Sequence, residues 1–169
     1  MISLDISAQG IEAIIAELEP TEKQVNVALS RTLNRMSKWV QTRTVKGLSA
    51  ELQVIQKVMR RRMRKTSIQK TNTGWTIKLW YGLNGISLIH LNARETKKGV
   101  TAGKHKRDGA FIAKGQVFKR SGNGRLPIEK QTLEIKAKAD SYLEDQAFSS
   151  GYQDQFFKTL EHELKWQMR

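Results

Sequence analysis

The chain has 169 residues, of which 30 are Lys or Arg and 16 are Asp or Glu, for a net charge of +14. This length suits one domain with a packed core, so we predict a single domain over residues 1–169. Without cysteine, the chain has neither a disulfide framework nor a thiolate metal site. The start MISLDISAQG has no basic and apolar leader, and no apolar run reaches the ~18 residues of a membrane span. We therefore expect a soluble cytoplasmic protein with no membrane partner.

The charge is concentrated in the middle of the chain. Residues 31–130 contain 24 Lys and Arg against four acids, whereas the two flanking segments together carry a net charge of −6. A basic centre with acidic ends predicts either a polyanionic partner or acidic neighbours in an assembly. The charge count leaves both alternatives open.

The longest predicted element is a helix over residues 21–47, preceded by a short strand at 2–6 and a helix that Ser7 can cap. Thr21 and Gln24 fit a capping box, and Gly47 indicates a stop or a bend. Apolar residues at spacings of three and four predict one narrow buried stripe, formed by Val25, Leu29, Leu33, Met36 and Val40. A basic stripe lies on the far side of the helix, formed by Arg31, Arg35 and Lys38.

A second helix over residues 48–65 is predicted with the same division into two faces. Its apolar face consists of Leu52, Ile55, Met59 and Met63. Its basic face consists of Lys57, Arg60, Arg61 and Arg64. For one helix, a solvated surface is the ordinary explanation of such a stripe. Two successive helices with the same division give more weight to contact with an anionic partner.

After residue 64 the apolar period changes from 3.6 to 2, which predicts strands. Residues 75–81 alternate, with Trp75 on the apolar side and Trp80 on the other, after a hairpin turn at Asn72-Thr73-Gly74. Residues 86–91 are apolar enough to be buried. Further strands are predicted at Ala110–Ala113, at Gln116–Arg120 and over 126–135, where Pro127 favours an edge or a strand beginning. Two C-terminal helices follow, separated by a break at Ser149-Ser150-Gly151.

Residues 94–109 are polar, basic and interrupted by glycine. With Val100 as their single large apolar side chain, they bury too little surface to offset the entropy of ordering, so we predict a mobile loop. The alternative is a rigid β-hairpin about Lys98-Gly99. The loop adds candidate contacts for acidic partners or DNA phosphate at Lys97, Lys98, Lys104, Lys106 and Arg107.

No catalytic constellation is visible in the sequence. His90, His105 and His162 are far apart, and none has a second ligand at metal spacing. A nuclease would need a carboxylate cluster for Mg²⁺, which the chain lacks. We predict that the protein is not an enzyme and has no metal or other cofactor.

Four segments, in this order, resemble the minor tail protein Z family of long-tailed phages and prophages, also called tail completion proteins. They are residues 28–52, the RRRMRK run at 60–65, residues 80–100 and residues 109–135. Among the most specific pieces are Gly82-Leu83-Asn84, Gly109-Ala110-Phe111 and Arg125-Leu126-Pro127-Ile128. The resemblance covers residues 20–165, and its motifs look structural, with glycines for turns and with Phe111 and Phe118 for the core.

The resemblance implies a structural virion protein that completes the tail and joins it to the head, as a ring around the DNA channel. Its partners would be further copies in a hexameric ring, the tail terminator or tail tube, and head-completion proteins of the neck. It would be assembled in the host cytoplasm, and non-specific contact with DNA in the channel is a further expectation. The other class left open is a free-standing basic nucleic-acid-binding protein, although no known nucleic-acid-binding signature is present.

The fold class predicted from these elements is α+β. We expect a mainly antiparallel β-sheet packed against the long N-terminal helix, with helices at the C-terminus.

Overall fold

The computed structural model describes residues 2–3, 8–71, 74–146 and 151–169. The fold is α+β, as predicted, and its strands form several small antiparallel sheets. The helices are α1 (Ala8–Leu18), α2 (Glu22–Glu51), α3 (Gln56–Arg61), α4 (Lys136–Gln146) and α5 (Tyr152–Gln167), with a 3₁₀ turn at Leu88–Leu91. The strands are β1 (Ile2–Ser3), β2 (Met63–Lys65), β3 (Gln69–Thr71), β4 (Gly74–Thr76), β5 (Lys78–Tyr81), β6 (Ile86–Ser87), β7 (Ala93–Thr96), β8 (Gly99–Ala102), β9 (His105–Asp108), β10 (Ala110–Ala113), β11 (Gln116–Arg120), β12 (Ile128–Lys130) and β13 (Thr132–Leu133).

The chain divides into two compact units. Unit 1 consists of Met1–Thr44, Met63–Tyr81 and Glu144–Arg169, and unit 2 consists of Val45–Arg62 and Gly82–Leu143. The division falls inside helices α2 and α4. That the whole chain acts as one domain stays a prediction.

Unit 1 is built on the N-terminal part of α2 and on α5. The capping box that starts α2 is confirmed, because Thr21 N–H donates to Gln24 Oε1 at 2.8 Å and Gln24 N–H donates to Thr21 Oγ1 at 3.4 Å. Gln24 Nε2 also donates to the carbonyl of Gln167 at 3.1 Å, which ties the start of α2 to the end of α5. The two helices therefore run antiparallel.

The core of unit 1 largely follows the predicted periodicity. Four of the five predicted stripe residues of α2 are buried, namely Leu29, Leu33, Met36 and Val40, whereas Val25 is half-buried. The stripe is wider than expected, because Thr32 and Ser37 are buried as well. From α5 the core receives Phe156, Leu160 and Leu164.

The sheet of unit 1 has the order β1-β5-β2, and β3 pairs with β4 in a separate hairpin. The predicted alternation in β5 is confirmed, since Leu79 is fully buried and Trp80 is 48% exposed. The register Thr71↔Gly74 places a two-residue connection between β3 and β4. The predicted turn residues Asn72 and Thr73 lie outside the described residues, as do the Ser7 cap, Leu4 and Ile6 of the predicted first strand, and Ser149 and Ser150 of the predicted break.

Unit 2 contains three small antiparallel sheets, β7-β8-β9, β10-β11-β12 and β6-β13. Strands β10 and β11 have the predicted bounds, and they join through Lys114 and Gly115, both at positive φ (47° and 68°). This is the geometry of a type I′ turn, which suits the twist of a hairpin. Pro127 directly precedes the edge strand β12, as predicted. The predicted burial of residues 86–91 is confirmed at Ile86, Leu88 and Leu91.

Two helix predictions in the segment 45–65 are wrong. Of the stop or bend predicted at Gly47, the stop is wrong, because helix α2 continues to Glu51, and the bend stays a prediction. The predicted second helix is reduced to the six residues of α3, and the chain then enters β2, where Met63 pairs with Tyr81. Pairing with a strand distant in sequence thus overrides the local helical period.

Candidate interaction surfaces

The first predicted basic stripe is exposed, but two of its members are engaged within unit 1. Glu163 on α5 is buried, with a side chain only 2% exposed, and it faces Arg31 and Arg35 on α2. Arg35 Nη2 lies 2.9 Å from Glu163 Oε1, and Arg31 Nη1 lies 3.9 Å from Glu163 Oε2. Among the described residues, Oε1 has no well-aligned hydrogen bond, so the contact is an ion pair. Lys38, the third member, is exposed.

Sequence reasoning did not single out Glu163, although a signal for it exists. The residue follows Leu160 by three positions and directly precedes Leu164, and both leucines are fully buried. That spacing places its carboxylate on the apolar side of α5 rather than among the exposed acids. A buried acid of this kind requires a cationic partner.

A shallow groove opens beside this ion pair within unit 1. Its volume is about 400 Å³, and it is lined by Arg35, Met36, Trp39, Gln155, Lys158, Thr159 and His162. Arg43 lies over the Trp39 ring, 5.3 Å from its centroid. The groove therefore presents cationic and aromatic groups together.

The one ionisable pair in the described residues with clearly shifted pKa values is Glu161 and Lys165, one helical turn apart on α5. A hydrogen bond from Lys165 lowers the pKa of Glu161, and the same bond raises the pKa of Lys165. Both side chains are exposed, so solvent screens the interaction. The pair is a surface contact of the helix.

The second predicted stripe does not form one helical face. Lys57, Arg60 and Arg61 are exposed on α3, whereas Arg64 is exposed on β2 and belongs to the other unit. Met59 is the buried residue of α3, as predicted, but Ile55 and Met63 lie outside the helix. Lys57, Arg60 and Arg61 thus form a cationic corner of unit 2, and Arg64 is a residue of the unit 1 sheet.

The residue with the clearest role in this segment is Arg62, which sequence reasoning passed over. Its guanidinium donates to three backbone carbonyls of the turn after β5, those of Gly82 (3.1 Å), Asn84 (2.5 Å) and Gly85 (3.0 Å). The planar fork of an arginine is suited to several carbonyls at once. Arg62 therefore holds this turn in place and is not available to a partner.

The segment predicted as a mobile loop is a three-stranded sheet in the structure. Arg94, Thr101 and Lys106 form one row across β7, β8 and β9, in which Arg94 and Lys106 are exposed and Thr101 is half-buried, and Val100 and Ala102 are buried on the opposite face. Lys97 and Lys98 form the β7–β8 turn, Lys104 lies in the β8–β9 turn, and Arg107 is half-buried on β9. Whether the segment is mobile in the free protein stays a prediction.

Charge is strongly concentrated in unit 2. Unit 2 contains 18 Lys and Arg against 6 Asp and Glu, for a net charge of +12, whereas unit 1 contains 12 against 10, for +2. A compact unit of this charge attracts polyanions and acidic protein surfaces. Unit 2 is therefore the candidate interaction surface of the molecule.

The predicted core role of Phe111 and Phe118 is not what the structure shows. Both rings are half-buried, on the face of the β10-β11-β12 sheet opposite the buried Val117, with centroids 6.3 Å apart. Arg120 stacks on Phe111, 5.7 Å from its centroid. Alternation within strands could not decide which face of this short hairpin is covered, and the two phenylalanines lie on the more open one.

The histidines do not come together in a site. His90 and His162 are exposed, and His105 is half-buried on β9. In the described part of the chain, no group of three or more His, Cys, Asp or Glu side chains is placed to hold a metal ion. Each helix described here is too short or too polar to span a lipid bilayer.

The fold and the surfaces are those of a small, strongly basic α+β protein whose net positive charge lies mostly on unit 2. A family model described as Prophage minor tail protein Z (GPZ) matches residues 8–169, nearly the whole chain. The chain belongs to this family of structural phage tail proteins and is a component of the virion. Searches of curated proteins and of solved structures found no match.

Proposed function

We propose that this protein completes the phage tail and joins it to the head, as a ring around the DNA channel. The observation that carries the proposal is the family match over residues 8–169. On this proposal the protein acts by contacts alone, without a catalytic step, and its partners are the tail tube or tail terminator on one side and head-completion proteins on the other. Its place in the virion is the neck.

The uneven charge supports a ring. Unit 2 carries a net charge of +12, and exposed acids of unit 1 include Glu12, Glu17 and Glu19 on and just after α1. A head-to-tail ring brings different surfaces of neighbouring copies together, so that basic and acidic regions can meet. We propose six copies, to match the symmetry of the tail tube, and a monomer in solution before the tail provides a template.

A reconstruction of the virion neck tests this proposal. We expect six copies in a closed ring between tail tube and head, and a deletion of the gene should yield filled heads and finished tails that do not join. A single copy per particle, or a location away from the neck, would contradict the proposal.

The second candidate is a dedicated nucleic-acid-binding protein, and the charge of unit 2 is the observation that favours it. Titration of unrelated duplex DNA between about 50 and 200 mM salt separates the two functions. A dedicated binder still forms a measurable complex at the upper end of this range, although its affinity falls steeply with salt because many phosphate contacts release counterions. A ring protein that meets DNA only inside the channel loses almost all of its DNA binding at the upper end of this salt range.

A further inference from the structure

The β10-β11-β12 sheet has one covered edge and one open edge. At the β10 edge, the N–H of Ile112 donates to Glu95 Oε1 at 2.6 Å, and β10 lies beside β7 and β8. At the other edge, β12 pairs with β11 alone within this sheet, and its three residues are all exposed. Strand β12 is therefore the side of this sheet on which a further strand can be added.

The hydrogen bonds of β12 fix which backbone groups face outward. Ser121 N–H donates to the carbonyl of Pro127 at 3.1 Å, and Gln131 N–H donates to the carbonyl of Val117 at 2.8 Å. In an antiparallel pair the bonded positions alternate, so Glu129 faces Lys119 while Ile128 and Lys130 point their N–H and C=O groups away from β11. Two donors and two acceptors thus lie in strand register along the open edge.

The side chains around this edge are apolar and cationic. Leu126 is 72% exposed, the largest exposure of a large apolar side chain among the described residues, and Ile128 is 41% exposed. Ile128 lies opposite Arg120, and Lys130 lies opposite Phe118, on the same face of the sheet. The acid of the strand, Glu129, points to the other face and accepts a hydrogen bond from Ser121 Oγ at 2.7 Å. The face next to the open edge is therefore positive, with apolar contacts between the charges.

We propose that β12 accepts an extended, acidic segment of a neighbouring virion protein as an added strand. Main-chain hydrogen bonds to Ile128 and Lys130 would supply part of the affinity, and carboxylates at alternate positions would meet Arg120 and Lys130. This inference rests on the proposed function, because it takes the partner to be another protein of the assembled tail. Duplex DNA fits this edge less well, because two of the four outward groups are carbonyl oxygens, which repel phosphate, and the exposed Leu126 and Ile128 match no phosphate.

The first test is a substitution at Lys130, whose N–H points outward. Lys130→Pro removes that N–H and places a ring at the edge, but it leaves the pairing of Glu129 with Lys119 intact. Lys130→Gln is the matched control, because it removes the same charge and keeps the N–H. Loss of one main-chain bond together with the steric block should lower the titre of infectious particles about tenfold more for Lys130→Pro than for Lys130→Gln. Equal titres at equal Tm would overturn the proposal.

A photocrosslinker at Leu126, in virions made with the full-length protein, gives a readout that does not depend on the proline variant. We expect a crosslink to one defined, acidic, extended segment of another virion protein, mapped by mass spectrometry. A crosslink to DNA, or none at all, would overturn the inference even if the protein lies in the neck. A mapped strand on a protein elsewhere in the virion would support it while contradicting the proposed place in the neck.

Discussion

Arg35 on α2 lies 2.9 Å from the buried carboxylate of Glu163 on α5, so a residue first identified as a candidate partner contact stabilises unit 1. The exposed fraction of its own side chain is 59%, against 2% for Glu163. The carboxylate is thus buried beneath an arginine that remains partly in solvent. An exposed arginine on a helix can therefore stabilise the fold when its acidic partner is the buried member of the ion pair.

Replacing Arg35 with Ala should lower the free energy of unfolding by about 1–2 kcal/mol, because Glu163 keeps only the longer contact with Arg31. The loss is smaller than for a fully buried pair, since solvent already screens the arginine. Urea denaturation measures the effect. Lys38→Ala is the control on the same helix and should change stability by less than about 0.5 kcal/mol. Equal losses in the two variants would contradict the role given to Glu163.

Gly47 should resist substitution although it lies inside a helix. A Cβ at this position would overlap the hydroxyl and ring of Tyr142 on α4, so Gly47→Ala should cost about 1–3 kcal/mol. In a Tyr142→Ala background the clash is gone, and the same change should stabilise by about 1 kcal/mol through helix propensity. A double-mutant cycle by thermal denaturation tests this reversal of sign, and the same sign in both backgrounds would rule out the packing explanation.

Arg62→Lys should destabilise unit 2 by about 1–3 kcal/mol, because one ammonium cannot serve the carbonyls of Gly82, Asn84 and Gly85 together. The charge is unchanged, so electrostatic attraction to partners is preserved. The neighbouring Arg61→Lys is the control and should have no measurable effect on Tm. If both variants melt alike, the three carbonyl contacts contribute little.

Reversing the charge of the α3 corner should separate assembly from folding. Arg60→Glu with Arg61→Glu changes two exposed side chains, so Tm should be retained, while the number of joined, infectious particles falls. Single neutralisations should show little, since exposed ion pairs contribute about 0–1 kcal/mol each. The control is Lys23→Glu with Lys158→Glu, which alters net charge equally in unit 1. Normal infectivity of the α3 variant would make the corner an ordinary solvated surface.

Hydrogen exchange on the isolated protein tests the predicted mobility of residues 94–109. If the segment orders only against a neighbour, amides 95–102 should exchange rapidly in the free chain and slowly in the virion. Strong protection in the free chain would instead show that the β7–β8 hairpin is preformed, and the ordering hypothesis would have to be abandoned. The amides of β10 and β11 provide the internal reference for a stable hairpin.

Local patterns in the sequence predicted much of the secondary structure. The capping box at Thr21 and the alternation through Leu79 and Trp80 depend on neighbours a few residues away, and the structure confirms both. The bounds of β10 and β11 follow from the same kind of information. Short-range spacing is sufficient where one face of an element is buried and the other is not.

The errors arose where distant parts of the chain decide the outcome. The predicted second helix ends at Arg61 because Met63 pairs with Tyr81, and Gly47 is needed for Tyr142 rather than for a helix end. For the same reason, the sequence could not separate the candidate contacts that are paired within the fold from those that are exposed and unpaired in the described part of the chain. Arg31 and Arg35 form ion pairs with Glu163, which lies more than 120 residues away in the sequence. A charge pattern identifies cations, but only tertiary structure shows which of them are already paired.

The carboxylate of Glu95 has a consequence for how far this protein can associate with itself. By occupying the outward N–H of Ile112, it denies the β10 edge to an incoming strand, while the β12 edge stays available. A sheet with two open edges can be extended indefinitely, copy upon copy, into a fibre. Because Glu95 occupies the β10 edge, strand addition through this sheet proceeds only at β12 and ends after a single step.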